Sequence, residues 1–424
     1  MPVPDLSGLG MLEIGGEATF GVVASTFKPL RILGPIDRSG LTREALMDEH
    51  LRTEDYNVAK IIGAARGTIT TRHYLHGRAT AVPSAAPARA GALNGSVTSW
   101  DLFMDTLAAA LGGISVGGYV GTASIGASGT PTNTLTAGSG ELSTFAIGRA
   151  LAWATGATPA YEVGWPTNVT GGVDAAALLQ TPKNYPQGET LWGSHTIVRK
   201  TGSNYFDAGF TDACTSFSLK ATDDSGVVVT MLGCWPSAVK INITPAQIPT
   251  LEITWTVAHW SETTGGTLAV QTWSYPQPEA VSQWLVRLGS GSDVLDLLTP
   301  SIQIDFGIEL QSLVGGYADS GIEGHYVTRR NPTVTMTLLR DVAAEVADFL
   351  AQTAKPFQLQ IGSQPGKMFA CCMPASRVAE FPQAADDAGK IVTNVTLVPG
   401  QYTGDTGSAG DTTPVNTDFR IAFP

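Results

Sequence analysis

Strand-like patterns dominate the chain. Residues 18–24 alternate small or polar with apolar side chains, the period-2 signature of a strand with one buried face. Residues 67–75, Gly-Thr-Ile-Thr-Thr-Arg-His-Tyr-Leu, read as a strand by β-propensity. Further strand-like runs fall at 216–221, 227–232, 251–257 and 268–273. Two stretches switch to helical spacing. Ser99 offers an N-cap to residues 100–111, where apolar residues recur every three or four positions, acids occupy the first turn and Gly112-Gly113 closes the helix. Residues 340–352 repeat the pattern, with Val342, Val346, Phe349 and Leu350 on one face and Lys355-Pro356 beyond its end.

The two helices align the chain with itself. Thr68-Ile69-Thr70-Thr71 precedes the first and Thr333-Val334-Thr335-Met336 precedes the second. Phe217-Ser218-Leu219-Lys220 follows one, Phe357-Gln358-Leu359-Gln360 the other. Each half then carries a strand with Cys-x-Pro, Cys234-Trp235-Pro236 against Cys372-Met373-Pro374, and closes with another strand. Upstream, strand 19–27 and strand 67–75 match strand 301–311 and strand 332–339 across a charged loop in each case. The alternative is one large sandwich whose helices match by accident.

Only the first half carries residues 114–210, a run of short apolar segments separated by Gly and Pro that reads as a small inserted β-barrel. The expected fold is therefore mainly β. It has one sandwich from residues 1–113 and 211–285, the insertion at 114–210, and a second sandwich at 286–424, each sandwich with a flanking helix. Residues 34–56 form a long polar connection in which residues 43–49 suit a short helical turn. A connection of that length usually has a function or orders on a partner.

Composition agrees with sheets joined by turns: charged residues are 15 % of the 424, against about 25 % in ordinary domains. The net charge of -12 argues against a protein that grips nucleic-acid phosphates. Residues 290–424 hold 8 basic and 15 acidic groups, so the acidity is concentrated late in the chain. Four cysteines in a chain this long make no disulfide framework, and none has metal-ligand spacing. No signal peptide is read at the N-terminus and no membrane span in residues 106–129, which are full of Gly, Ser and Thr.

Catalytic chemistry finds little support. Ser25-Thr26-Phe27-Lys28 and Lys200-Thr201-Gly202 match two marks of serine β-lactamases. That chemistry needs Ser and Lys one helical turn apart, and Pro29 in a strand-like stretch prevents the helix. The six histidines are scattered, and no phosphate-binding loop or dinucleotide fingerprint occurs. No catalytic, cofactor or metal residues are assigned, and no enzyme activity is expected.

The order of elements resembles the tail tube proteins of long, non-contractile tailed bacteriophages. The similar stretches are Thr19-Phe20-Gly21-Val22 with Asp37-Arg38-Ser39-Gly40-Leu41-Thr42-Arg43-Glu44, then Met231-Leu232-Gly233-Cys234-Trp235-Pro236-Ser237, Arg329-Arg330-Asn331-Pro332-Thr333-Val334-Thr335, and Asp418-Phe419-Arg420-Ile421-Ala422-Phe423. The resemblance covers most of the chain outside 114–210. It implies sandwiches whose inner strands join between subunits into rings, and rings that stack into a tube. With two copies per chain, three chains would make a homotrimeric, pseudo-sixfold ring.

The resemblance also implies a tape measure protein and DNA transiently in the lumen, tail-tip and terminator proteins at the ends, no membrane partner, and a virion tail assembled in the host cytoplasm. An acidic lumen repels DNA phosphates; Glu252, Asp305 and Glu309 are its candidates. The charged loop, with Asp37, Arg38, Arg43, Glu44, Asp48, Glu49 and Arg52, suits contacts between stacked rings. A tail-tip or adaptor ring, or a carbohydrate-binding adhesin built on the insertion, are the rival functions.

Overall fold

The computed structural model describes residues 10–34, 36–46, 61–75, 106–107, 109–111, 113–116, 119–124, 134–136, 147–148, 150–155, 161–170, 175–182, 190–199, 216–268, 284–289, 301–315, 321–338, 343–362, 366–387, 390–407 and 416–424. The protein is mainly β, built from large antiparallel sheets.

The same path of strand pairings occurs twice. In the first half Gly10–Glu17 pairs with Ser216–Asp223, which pairs with Val227–Ile243. That long strand pairs with His259–Thr264 through its first part and with Thr250–Val257 through its second. Thr250–Val257 then pairs with Ile61–Tyr74. In the second half Trp284–Leu288 pairs with Lys355–Ile361, which pairs with Phe369–Val378. This strand pairs with Arg420–Phe423 and then with Lys390–Pro399, whose other side takes Thr333–Leu338. Every pairing is antiparallel, and the paired strands follow the same order along the chain.

Both Cys-x-Pro segments lie where the long strand changes partner. Val227–Ile243 leaves Ser216–Asp223 at Cys234 and joins Thr250–Val257 from Trp235, with a register shift between Pro236 and Ala238. Phe369–Val378 pairs in register with Lys355–Ile361 as far as Met373, shifts register across Pro374, and at Ser376 meets both Lys355 and the start of its pairing with Lys390–Pro399. Proline lacks the N–H a regular ladder needs and is tolerated at such an irregularity.

Each half thus folds its outer strands over an inner sheet. The inner strands alternate cleanly: Leu251, Ile253, Trp255 and Val257 are buried, as are Val334, Met336 and Leu338, while the threonines between them face out. Phe217 meets Trp255 edge-on, ring centroids 5.7 Å apart, and Phe369 meets Phe423 at 5.6 Å. Two of the outer strands, Phe369–Val378 and Ser216–Asp223, are buried on both faces and read as near-continuous buried runs.

The insertion forms two four-stranded sheets. One contains Tyr119–Ser124, Thr190–Gly193, Leu151–Ala154 and Tyr161–Gly164. The other contains Thr134–Thr136, Ala175–Leu178, Pro166–Thr170 and, from the far end of the chain, Thr406–Gly407. Its flanking strands Gly113–Val116 and His195–Arg199 extend the second half's outer sheet through Arg420–Phe423. It is seated on the second half although it interrupts the first. Glu162 forms a fully buried ion pair with Arg287. Gln358 and Gln360 donate to the carbonyls of Val163 and Tyr161 at 2.6 and 2.7 Å, and the Val163 N–H donates back to Gln360 at 2.9 Å.

Several local expectations change. The first strand is Gly10–Glu17; residues 18–22 form bends and turns, and Lys28–Leu30 is a strand. Gly15 and Gly16 masked this strand in the sequence, while its inward residues are Leu12, Ile14 and Glu17. Residues 43–46 are not a helical turn: Leu41–Leu46 is a strand paired with Ile61–Tyr74. Residues 313–328 are likewise no loop throughout, since Ile308–Val314 and Ile322–Arg330 form a hairpin. The second helix is Ala343–Ala351. Residues 106, 107 and 109–111 are helical, and the start of the first helix lies outside the described residues, as do residues 79–98 and 269–273.

His73 sits in the first half's core. Its Nδ1 lies 2.8 Å from the Arg31 carbonyl and its Nε2 2.9 Å from Thr71 Oγ1. Burial pushes its pKa down to about 4 from the usual 6.5. The unfolded chain therefore binds a proton first as the pH falls. Stability conferred by neutral His73 is complete above about 6.5 and is lost between 6.5 and about 4, an effect of roughly 3 kcal/mol. Urea melts across that window should show the loss in the natural chain and a flatter profile in His73→Gln.

Candidate functional site

No group of three or more metal-ligating side chains occurs among the described residues, and none of their helices is long and apolar enough to cross a membrane. The surface with the most organisation is the outward face of the inner sheets. The two inner sheets are joined edge to edge: residues 240–243 of the long first-half strand pair antiparallel with Ile302–Asp305. One sheet consequently runs through Ile61–Tyr74, Thr250–Val257, Val227–Ile243, Ile302–Asp305, Thr333–Leu338, Lys390–Pro399 and Gln383–Asp387.

Its outward face is polar and ordered in rows across the strands. Arg72, Glu252, Lys240, Asp305 and Thr333 are successive cross-strand partners. Arg72 donates to Glu252 at 3.0 Å, and Lys240 lies 3.6 Å from Asp305. Other partners are uncharged. Thr70 and Thr254 share a hydroxyl contact at 3.2 Å, Gln303 donates to Asn242 at 2.9 Å, and Thr337 donates to Asn394 at 2.9 Å. The face is polar but locally charge-balanced.

Two of the three acidic candidates, Glu252 and Asp305, are on this face, each beside a cation. Glu309 is not; it belongs to the hairpin, exposed and 4.0 Å from Arg329. Such solvated pairs contribute little to stability. Their effect is to cancel local charge, which sequence reading did not anticipate. Thr70, Thr254, Asn242 and Gln303 were also passed over, although alternation of Thr, Asn and Gln with buried apolar residues is the available signal.

The charged connection is divided. Asp37 forms a bridge with Thr70 and its carboxylate accepts the Ser39 N–H at 2.9 Å. Those contacts with Ser39 hold its carboxyl below the usual range. Arg38 donates to Asp223 at 2.9 Å, and the Arg43 guanidinium lies over the Trp260 ring, 5.1 Å from its centroid. Glu44 is in the strand Leu41–Leu46. Asp48, Glu49 and Arg52 lie outside the described residues.

The segment around Asp37 has a counterpart in the second half. Asp305 caps its own turn in the same way, accepting the Gly307 N–H at 2.8 Å. Asp305 faces Thr333 as Asp37 faces Thr70. Thr68 N–H donates to the Gly40 carbonyl at 3.1 Å, and Asn331 N–H to the Gly307 carbonyl at 2.9 Å. At Gly40 and Gly307 the opposing strand is so close that a Cβ would collide with the carbonyl of Thr68 or Asn331. The Ile308–Val314/Ile322–Arg330 hairpin is therefore the second-half equivalent of the Leu41–Leu46/Ile61–Tyr74 pair.

The second-half hairpin reaches across the join. The His325 ring lies 3.0 Å from the Gly233 carbonyl and 5.3 Å from the Phe20 ring centroid, while Ser312 holds its other nitrogen at 3.0 Å. Burial lowers the His325 pKa, so the neutral ring donates to Gly233 through Nε2 and accepts from Ser312 through Nδ1. Arg330 donates to the carbonyls of Ala110 and Ala109 at 3.0 and 3.2 Å, capping the end of the first helix. Val314, near the hairpin end, is 81 % exposed. No protein-family model matches the chain, and no curated protein matches it in sequence.

Proposed function

We propose that this chain is a self-assembling structural protein whose copies close into rings and stack as the tail tube of a long-tailed bacteriophage. The observation that carries the reading is the join at 240–243 and Ile302–Asp305. Two halves with the same pairing path already share one continuous sheet, which is the contact a ring needs at every position. An edge strand left open is an aggregation hazard, and ring closure removes it.

The polar face of that sheet is the proposed lumen. Its rows of hydroxyls, amides and paired charges offer no run of cations to hold phosphates. The overall charge of -12 adds repulsion at longer range. A tape measure protein and DNA would occupy the lumen transiently, with tail-tip and terminator proteins at the ends. No catalytic step or cofactor is assigned.

Electron microscopy of the concentrated protein tests this. Hollow tubes with three chains per ring are the expected result. Six chains per ring would keep the function and overturn the two-halves-per-chain ring. Single rings that never stack would favour a tail-tip or adaptor protein, and compact monomers would remove the assembly reading.

A further inference from the structure

The contacts that join the two halves inside the chain have counterparts left open at its ends. The edge at residues 240–243 is filled by Ile302–Asp305, whereas its second-half counterpart, Gln383–Asp387 beside Lys390–Pro399, has no second partner among the described residues. The segment equivalent to Ile302–Asp305 is residues 36–39, matched through Asp37 and Asp305, and its outer side is also open among the described residues. The first helix is enclosed, with Leu107, Ala110 and Leu111 fully buried and Arg330 over its end. The second is not: on Ala343–Ala351 Leu350 is 72 % exposed, and Phe381, stacked edge-on against Phe349, is 53 % exposed. Phe381 lies two residues before the open strand. An unpaired edge and an uncovered apolar patch thus adjoin one another, where the first half has both covered.

We infer that a second copy of this chain docks here by repeating the internal join. Its residues 36–39 lie antiparallel to Gln383–Asp387, and its Leu41–Leu46/Ile61–Tyr74 pair reaches across toward the exposed Leu350 and Phe381, as the Ile308–Arg330 hairpin crosses onto the first half. The inference rests on the proposed ring assembly and deepens it. It also moves the segment around Asp37 and Arg43 from contacts between stacked rings to contacts within one ring.

Cysteine cross-linking tests the pairing. The internal control is Lys240→Cys with Asp305→Cys, whose positions are direct cross-strand partners; oxidation should give an intrachain bond. In a Cys214→Ser background, used for the control as well, Asp37→Cys combined with cysteine at one of positions 383–387 should give a ladder of covalent oligomers on a non-reducing gel, absent from either single variant. A second variant, Leu350→Asp, changes an exposed side chain and should leave the monomer folded by circular dichroism. It should raise the concentration needed for assembly at least tenfold. Natural-sequence tubes with no interchain bond at any of the five positions would overturn this junction while leaving the tube function standing. Leu350→Asp rings that close but fail to stack would place the patch between rings and overturn the lateral contact. A natural chain that forms no polymer would overturn the ring reading itself.

Discussion

Glu162→Ala is expected to destabilise the protein by about 3–5 kcal/mol, the usual effect of leaving one member of a buried ion pair alone. Glu162 is fully buried and Arg287 is 1 % exposed. The guanidinium would remain in the interior without its carboxylate. In thermal unfolding the midpoint should fall by about 5 °C. The double variant Glu162→Leu with Arg287→Leu should recover most of that loss, because two apolar side chains remove both desolvated charges. Replacing the whole insertion by a short linker should be worse than either single change. It uncovers Gln358 and Gln360, takes away the backbone partner at Val163, and strips Gly113–Val116 and His195–Arg199 from the outer sheet. An insertion-free chain with an unchanged melting midpoint would contradict this account.

Glu17→Ala is the second large effect expected, roughly 4 kcal/mol, since each donor left unpaired in the interior costs about 1–3 kcal/mol. Glu17 is fully buried. Its carboxylate accepts from the hydroxyls of Ser216 and Ser218 and from the backbone N–H groups of Gly21 and Gly233, the last three at 2.7, 2.8 and 3.0 Å. One side chain therefore ties the turn after the first strand to the long strand at Gly233. That same residue's carbonyl faces His325. The variant should show, beyond lower stability, faster amide exchange in Ile322–Arg330, because Phe20 and Gly233 both lose their anchor. Glu17→Gln keeps the shape but turns an NH₂ toward donors, and should lose about half as much. Exchange in the hairpin unchanged from the natural chain would show that Glu17 does not position its docking site.

Much of the architecture was legible because the inner strands obey one rule. Each buries one face, so Leu251, Ile253 and Trp255 alternate with polar neighbours, as do Val334 and Met336. The helix at Ala343–Ala351 carried its own apolar spacing and a proline beyond its end. The first strand was missed because its core residues share it with glycines and a buried glutamate. A buried carboxylate is recognisable only once its donors, Ser216 and Gly233, are in place. The seat of the insertion was illegible for a related reason. Arg287, Gln358 and Gln360 read as surface residues until Tyr161–Gly164 is laid over them. The charge balance around the acidic candidates was hidden for another reason: the cationic neighbours of Glu252 and Asp305 lie on other strands, and Arg72 is 180 residues from Glu252.

The way the insertion crosses over has a consequence for where the chain tolerates a break. Residues 1–268 supply His195–Arg199 and Tyr161–Gly164 to the second half, while Ile302–Asp305 and the Ile308–Arg330 hairpin are laid against the first. The two parts clasp one another like linked hands. A polypeptide expressed as two pieces, cut within residues 269–283, should therefore reassemble on mixing, and the pieces should copurify without any covalent tie. Swapping one half for that of a distant relative should fail unless the insertion and its seat travel together. The two parts are expected to fold as one clasped pair rather than as separate sandwiches.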